Sequence, residues 1–221
     1  HLVHTILRYT DISRIRLSSI EPWDLSESFF SLFIEPRVCR HLHMPLQSGS
    51  PEILRRMARK GSLDDYERYL CLARGAVPDI AITTDIIVGF PGETLHEFER
   101  SLDFVERMGF AQGHVFAFSP RPGTLAAGFP NQVDIAEKKR RSRVMRNLFE
   151  RSAQEYRSRF VGQKASVLWE NRSLTEKGWQ HEGLTDNYLR VTATTKEDRW
   201  NTIDQVRLVE QNNGRFVGEL I

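Results

Sequence analysis

The chain has 221 residues, of which 27% are charged and 40% hydrophobic, and 31 Lys and Arg nearly balance 29 Asp and Glu. This composition is typical of a globular protein and excludes a disordered chain. No apolar stretch reaches the roughly 18 residues that a membrane span needs, and we find no signal-peptide pattern, so the sequence predicts a soluble cytoplasmic protein. Its two cysteines, Cys39 and Cys71, exclude a disulfide scaffold, a four-cysteine zinc site and a complete iron–sulfur site built from this chain alone.

The first part of the chain alternates β-rich segments with segments of helical period, which predicts βα units around a parallel sheet. Every predicted strand ends in polar or turn-forming residues. Right-handed crossovers put the carboxyl ends of such strands on one side, so we expect these ends to converge on one rim. The four predicted strands cover residues 15–19, 41–46, 81–88 and 114–118.

Helix start signals occur between these strands. Ser50 is a predicted N-cap with Pro51 at the first helical position, and this helix is predicted to end at Gly61. Ser62 begins a second helical segment. Thr94 and Glu97 have the spacing of a capping box before a third. These helices are expected to cover the outside of the sheet.

The third predicted strand carries a polar residue and ends in a glycine turn. Asp85 interrupts the apolar run, while Gly89 and Gly92 allow the backbone to approach a ligand closely. The turn therefore suits an adenine ring lying on a flat apolar floor. A tight strand-to-helix turn with one satisfied buried Asp explains the same residues, and the motif alone does not choose between the two.

The second predicted strand is followed by a polar segment at the same rim. His41 and His43 alternate and so share a face, and Gln47, Ser48 and Ser50 offer donors and acceptors beside a helix N-terminus that attracts a carboxylate. A metal site built from the two histidines and Cys39 is the alternative. We reject it because no further ligand follows at zinc-like spacing, and hydrogen-bonded core histidines are more common.

Positive charge is concentrated in a long predicted helix at about residues 134–160. Between Glu137 and Arg159 it holds nine Lys or Arg against three acids, whereas the whole chain has a net charge of only +2. This pattern fits either a solvated helix face or a surface that binds a polyanion. One apolar stripe, Met145, Phe149, Tyr156 and Phe160, runs along the same helix.

The residues after Gly162 change in character. They have β-rich stretches at 165–169, 188–193, 205–210 and 216–220, separated by Gly and Asn turns, which predicts a small all-β barrel. We therefore divide the chain into domains 1–161 and 162–221. The second holds aromatic and cationic residues of the kind that bind nucleic acid in OB-like folds, although core aromatics give the same pattern: Trp169, Trp179, Tyr188, Arg190 and Trp200.

Four ordered motifs carry a family resemblance. They cover Arg16–Pro22, His43–Ser50, Thr84–Thr94 and Phe118–Thr124. In wording, order and spacing they resemble the radical S-adenosylmethionine methylthiotransferases, and the C-terminal module is similar to that family's TRAM domain. The first motif is most similar to the branch that acts on threonylcarbamoyl-adenosine.

The resemblance implies a fold and an activity. The expected fold class is α/β, an incomplete (β/α) radical SAM barrel followed by a small all-β, OB-like TRAM barrel. The implied enzyme is a tRNA methylthiotransferase that adds a methylthio group to C2 of modified adenosine 37, beside the anticodon, using S-adenosylmethionine and two [4Fe-4S] clusters. The family's CxxxCxxC motif is absent from these residues. We therefore expect the chain to be the C-terminal part of that enzyme, inactive by itself and without a metal site.

The resemblance also implies two sets of site residues, and it assigns no catalytic acid or base. A ribosomal-protein methylthiotransferase and an RNA-binding module with a silent barrel stay as alternatives, and exposed sheet edges favour dimerisation or strand swapping. The implied cofactor contacts are His43, Gln47, Ser48, Ser50, Asp85, Ile87, Gly89 and Ser119. The implied contacts to a tRNA anticodon stem-loop are Arg140, Arg141, Arg143, Lys164, Trp179, Tyr188 and Arg190.

Overall fold

The computed structural model describes residues 2–22, 25 and 27–221. The chain divides into two compact units. We call Leu17–Leu32 with Leu42–Ala153 the sheet unit, and His1–Arg16 with Phe33–His41 and Gln154–Ile221 the barrel unit. The predicted domain boundary at residue 161 stays a prediction.

The described elements are helical and extended in both halves of the chain. The α-helices are α1 (Leu2–Tyr9), α2 (Pro51–Arg56), α3 (Leu63–Ala76), α4 (Leu95–Met108) and α5 (Ile135–Ser158), and 3-10 helices cover Glu27–Ile34 and Leu125–Gly128. The first four strands are β1 (Ile15–Leu17), β2 (Val38–His43), β3 (Ala81–Val88) and β4 (Gln112–Ala117). The other five are β5 (Lys164–Thr175), β6 (Gly178–Thr185), β7 (Arg190–Thr195), β8 (Ile203–Asn212) and β9 (Arg215–Leu220).

Strands β1 to β4 form one sheet in the order β1-β2-β3-β4, and β3 pairs with β4 in parallel. The predicted α/β class with a parallel sheet is confirmed. Strand β1 ends at Leu17, earlier than predicted, because Ser19 has a left-handed φ of 56°. Strand β2 ends at His43 rather than Leu46: Pro45 has no N–H to donate, and the Leu46 amide donates to the Thr84 hydroxyl at 3.0 Å.

The predicted helix starts are confirmed. Ser50 and Ser62 cap α2 and α3 by accepting backbone N–H groups, and Thr94 with Glu97 forms a complete capping box on α4. The predicted end of α2 at Gly61 is wrong. The helix ends at Arg56, because Ala58 has a φ of 53° and turns the chain out of the helix.

The core of the sheet unit lies on the helix-covered face of the sheet. Ile82, Ile86 and Val88 of β3 point into it and are buried. The Tyr66 hydroxyl of α3 donates to the Met44 carbonyl at 2.6 Å. Gly113 of β4 has no side chain at the place where the Phe149 ring packs, because a Cβ there would lie 2.2 Å from that ring.

Strands β5 to β9 close into a barrel in the order β5-β6-β7-β9-β8, so the predicted small all-β barrel is confirmed. Its identity as a TRAM domain stays a prediction. Strand β6 was not predicted. Its buried positions alternate as expected for a strand, but they are His181, Gly183 and Thr185, which are not hydrophobic. Trp169 is fully buried and donates from Nε1 to Asp204 at 2.8 Å.

Candidate functional site

The loop after β2 joins the sheet at the rim where β3 ends. Gln47 forms a parallel bridge with Ile86: its N–H donates to Asp85 O and its carbonyl accepts from Ile87 N–H, both at 2.8 Å. Gln47 has a φ of 69°, and its side chain is half-buried. These bonds place the backbone of Gln47 beside the carboxyl end of β3, and Gly89 follows directly after that strand.

Ser48 and Ser50 are buried and serve the loop itself. The Ser48 and Ser101 hydroxyls are 3.1 Å apart, and Ser48 Oγ accepts from the Ser50 N–H at 3.1 Å. Ser50 Oγ caps α2 and donates to Glu52. These contacts give both serines a role in shaping the segment that presents Gln47.

Polar side chains meet on the face of the sheet opposite the helices. Asp85 accepts from His43 Nε2 through one carboxylate oxygen and from His114 Nδ1 through the other, each at 3.2 Å. His43 Nδ1 lies 2.9 Å from the Thr83 hydroxyl. The structure thus joins His43 and Asp85, both predicted, to His114, which the sequence analysis missed.

An apolar patch continues this face towards the rim. In the β3–β4 register Asp85 lies opposite His114, and Ile87 lies opposite Phe116. Ile87 is half-buried, and Phe116 is 53% exposed. Ser119, another predicted cofactor contact, is exposed just beyond the end of β4. The face therefore offers hydrogen-bonding groups next to a flat hydrophobic surface.

The turn after β3 is held by a buried ion pair. Gly89 has a φ of 71°, and its N–H donates to Glu93 Oε2 at 2.6 Å. The same oxygen accepts from Arg141 Nη1 at 2.6 Å, and the two side chains are only 1% and 6% exposed. Burial raises the pKa of Glu93, and the hydrogen bonds from Arg141 and Gly89 oppose that rise.

The basic helix α5 also covers the turn directly. A Cβ on Gly89 would lie 2.5 Å from Lys138 Cγ, so the Lys138 stem lies across the glycine. The Lys138 ammonium lies 5.3 Å from the centre of the Phe118 ring. Lys138 and Arg141, two cations of the predicted polyanion surface, are thus buried against the turn.

The other predicted RNA contacts differ in their surroundings. Arg140 is paired with Glu137, and together with Arg141 it lowers the pKa of Glu137 to about 2. Arg143 is exposed on the same helix. In the barrel unit, Lys164 and Arg190 are exposed.

Three aromatic residues of the barrel unit already have an arginine neighbour. The Tyr188 ring stacks on His41 at 4.3 Å, and the Arg16 guanidinium lies 4.6 Å from its centre. The Arg172 guanidinium lies 5.4 Å from the Trp179 ring and 5.0 Å from the Trp200 ring. Trp200 is 53% exposed. The cluster of Arg172, Trp179 and Trp200 is therefore more accessible than the cluster of Tyr188, His41 and Arg16.

The described residues do not fit an iron–sulfur cluster. Within residues 2–22, 25 and 27–221, no group of three or more His, Cys, Asp or Glu side chains is arranged to hold a metal ion. Cys39 is buried, which raises the pKa of its thiol, and Cys71 is exposed.

Among residues 2–22, 25 and 27–221, none of the helices combines the length and the apolar character that a membrane span requires.

Comparison with known proteins gives the class. Residues 3–105 match the family model of the radical SAM superfamily. The fold is similar to that of coproporphyrinogen III oxidase HemN from Escherichia coli, with a TM-score of 0.57 over 82% of this chain and 49% of that one, at 14% identity. The chain therefore contains radical SAM fold elements.

The chain is also similar in sequence to curated proteins over most of its length. The chain is 44% identical to threonylcarbamoyladenosine tRNA methylthiotransferase MtaB from Thermotoga maritima over 71% of this chain and 36% of that protein. It is 35% identical to the Bacillus subtilis protein of the same name, over 95% and 48%. It is 37% identical to tRNA-2-methylthio-N(6)-dimethylallyladenosine synthase from Lawsonia intracellularis, over 99% and 49%. The chain is thus similar to tRNA methylthiotransferases over most of its length, and it spans less than half the length of each of these relatives.

Proposed function

We propose that this chain is the C-terminal part of a cytoplasmic tRNA methylthiotransferase that modifies C2 of adenosine 37. The observation that carries the proposal is the match of 99% of the chain to a tRNA methylthiotransferase relative at 37% identity. The relatives' names favour tRNA over a ribosomal protein as the substrate. The most similar of the three, at 44%, favours the threonylcarbamoyl-adenosine branch.

The rim residues fit S-adenosylmethionine in chemical type. In the proposed site the Gln47 side-chain amide and the Ser119 hydroxyl hydrogen-bond the polar parts of the cofactor, and Ile87 gives its adenine an apolar floor. Gly89, with the Lys138 stem lying across it, shapes the turn next to this floor. Ser48 and Ser50 shape the loop from within. When bound, this cofactor supplies the radical and methyl chemistry, and the protein positions the reactants.

RNA binding is proposed for exposed residues of both units. Arg143, Lys164 and Arg190 are exposed cations suited to phosphate, and Trp179 beside Arg172 suits stacking on a base. The proposed TRAM identity of the barrel is consistent with this role. Arg141 is left out of the phosphate contacts because it is buried in its ion pairs.

The proposal is tested by disrupting the encoding gene and measuring modified nucleosides in digested tRNA by mass spectrometry. We expect 2-methylthio-N6-threonylcarbamoyladenosine to disappear while its precursor without the methylthio group accumulates. Loss of the dimethylallyl product instead would assign the other branch and overturn our choice between them. Unchanged tRNA would overturn the proposed function.

Complementation of the disrupted strain then tests whether the rim residues bind the cofactor. The full-length gene should restore the product, the Gln47→Ala gene should restore much less, and Arg68→Ala, on the exposed surface of α3, should match the wild type. Equal restoration by Gln47→Ala and wild type would contradict the assignment of Gln47 to the cofactor.

A further inference from the structure

Strands β7 and β9 of the barrel unit pair over only part of their length. Their parallel register ends at the pair Thr192–Val217. Strand β7 continues to Thr195, still paired with β6, and β9 continues to Leu220, still paired with β8. The two strand ends therefore have a gap between them. We call this gap, between residues 194–195 and 218–220, the seam.

Backbone groups of β9 point into the seam. In an antiparallel pair, alternate residues bond to the neighbouring strand. Ile221 donates its N–H to a carbonyl of β8 at 3.1 Å, so Leu220 and Gly218 point away from β8 and towards β7. Because the β7–β9 register has already ended, no strand that the structure describes pairs with the Gly218 C=O or the Leu220 N–H.

Strand β7 presents the matching groups from the other side. The Thr185 N–H bonds the Leu189 carbonyl at 3.0 Å across the turn between β6 and β7. By the same alternation, Ala193 points to β6 and Thr194 points into the seam. The N–H and C=O of Thr194 would continue the ladder to β9, but the register ends two residues earlier. The seam thus has the free donors and acceptors of a strand edge on both sides.

The seam widens into a groove of about 380 Å³. Its charged lining is balanced, with Lys196 and Arg199 against Glu197 and Glu219. Arg199 Nη2 donates to Glu197 at 3.0 Å, whereas Arg199 Nε is buried and has no acceptor among the residues that the structure describes. Balanced charge beside both donors and acceptors suits a polypeptide backbone better than a polyanion, whose binding depends on excess positive charge.

We propose that the seam binds an uncharged, extended segment of a partner polypeptide, which adds to the barrel as a further strand. Thr194 and Leu220 donate their N–H groups to carbonyls of the segment, and the Gly218 and Thr194 carbonyls accept from its N–H groups. Arg199 Nε supplies one more donor. The Leu220 side chain lines the groove and is 37% exposed, which favours β-branched residues as its cross-strand neighbours. All of these groups belong to the barrel unit, and this binding is independent of the proposed function.

The exchange rates of single backbone amides test whether the seam is open. In NMR spectra of the whole chain, the Thr194 and Leu220 amides should exchange at least about tenfold faster than those of Ala193 and Glu219, which bond to β6 and β8. Equally slow exchange of all four amides would mean that the ladder is closed and would overturn the proposal.

Peptide binding is the second test. The probe is a pool of acetylated and amidated pentapeptides of Val, Ile and Thr, titrated into the 15N-labelled chain up to about 5 mM. We expect saturable shifts centred on the Thr194 and Leu220 amides, together with slower exchange of both. The same pool N-methylated at every residue donates no backbone N–H and should give no saturable shift. Absence of saturable binding by the first pool, or equal binding by both pools, would contradict the proposal.

Two substitutions of Thr194 separate its backbone from its side chain. Thr194→Pro removes the N–H that faces the seam but not the bonds to β6, and it should weaken peptide binding by about threefold to tenfold. Thr194→Val keeps the N–H and should bind as the wild type does. Arg199→Met removes the Nε donor and should weaken binding by about threefold. Thermal unfolding checks that each variant folds, and if Thr194→Pro does not, Arg199→Met and the N-methylated pool decide. Full-strength binding by both Thr194→Pro and Arg199→Met would refute the assigned contacts.

RNA and a second copy of this chain are the competing occupants. Displacement of the peptides by an anticodon stem-loop would assign the seam to RNA. Shifts of the Thr194 and Leu220 amides that grow with protein concentration in the absence of peptide, with a dimer in sedimentation, would assign it to a second copy. Either result would overturn the proposal. The gene-disruption experiment measures only the proposed function, so the two proposals can fail separately.

Discussion

Replacing Arg141 by methionine tests whether its buried ion pair holds the glycine turn. Met keeps much of the side-chain volume but leaves the Glu93 carboxylate, 1% exposed, with the Gly89 N–H at 2.6 Å and no cation. Removing one partner of a buried ion pair costs about 3–5 kcal/mol, because the remaining charge stays desolvated. We expect Arg141→Met to lower the unfolding free energy of the sheet unit by about that amount near neutral pH.

The pH dependence of the loss in stability tests more sharply whether the unpaired Glu93 carboxylate causes it. Burial already raises the pKa of Glu93 in the wild type, and loss of Arg141, which opposes that rise, raises it further. A carboxyl whose folded-state pKa is raised contributes fully to stability below its ordinary value of 4.5, and this contribution is lost as the pH rises through the folded-state pKa. The deficit of Arg141→Met should therefore be small in acid and grow towards neutral pH.

The assay is hydrogen exchange by mass spectrometry on the segment around Gly89, together with urea unfolding, at about pH 4 and about pH 7. Arg143→Met, on the exposed side of α5, is the matched control and should differ little from the wild type. Glu93→Gln combined with Arg141→Met should recover most of the loss, because the neutral amide still accepts from Gly89. A loss no greater than that of Arg143→Met, or one that does not change with pH, would refute the reasoning.

Three further predictions concern packing and RNA. Gly113→Ala places a methyl group against the Phe149 ring and should cost about 1–3 kcal/mol in urea unfolding, whereas Gly75→Ala, with open space around its Cβ in α3, should stabilise by about 0.4–1 kcal/mol. Binding of a tRNA anticodon stem-loop should fall with salt, and Arg143→Ala should flatten the log–log slope by about 1. Trp179→Ala should cost about 1–3 kcal/mol in affinity at unchanged slope. Binding that is independent of salt, or a Gly113→Ala chain as stable as the wild type, would contradict them.

The sequence predicted the elements whose signals are local. Strand β3 was predicted with its observed bounds because it is the most apolar of the four predicted strands. Ser50, Ser62 and Thr94 cap helices through bonds to residues three positions away. Strand β6 was not predicted, because its buried residues are polar or small and the strand therefore shows no hydrophobic alternation.

The rim loops were also found from the sequence, but the state of their side chains was not. Arg141 and Arg143 are the same residue type two positions apart, and one is buried in an ion pair while the other is exposed. A helical signal was present, since Lys138, Arg141 and Met145 are spaced along one stripe of α5. The charge of Lys138 and Arg141 predicted exposure to solvent. Only the packing of α5 on the Glu93 turn shows that both side chains are buried.

The arrangement of polar side chains around Asp85 depends on strand pairing. Which residue lies opposite Asp85 is set by the register of β3 against β4, and a shift of one residue would turn His114 to the other face. Nothing local to either strand specifies that register. The sequence by itself determined the family motifs, the caps and the loops of the rim, whereas the tertiary structure decided the partners of Asp85 and Glu93, because contacts between distant segments depend on how whole elements pack.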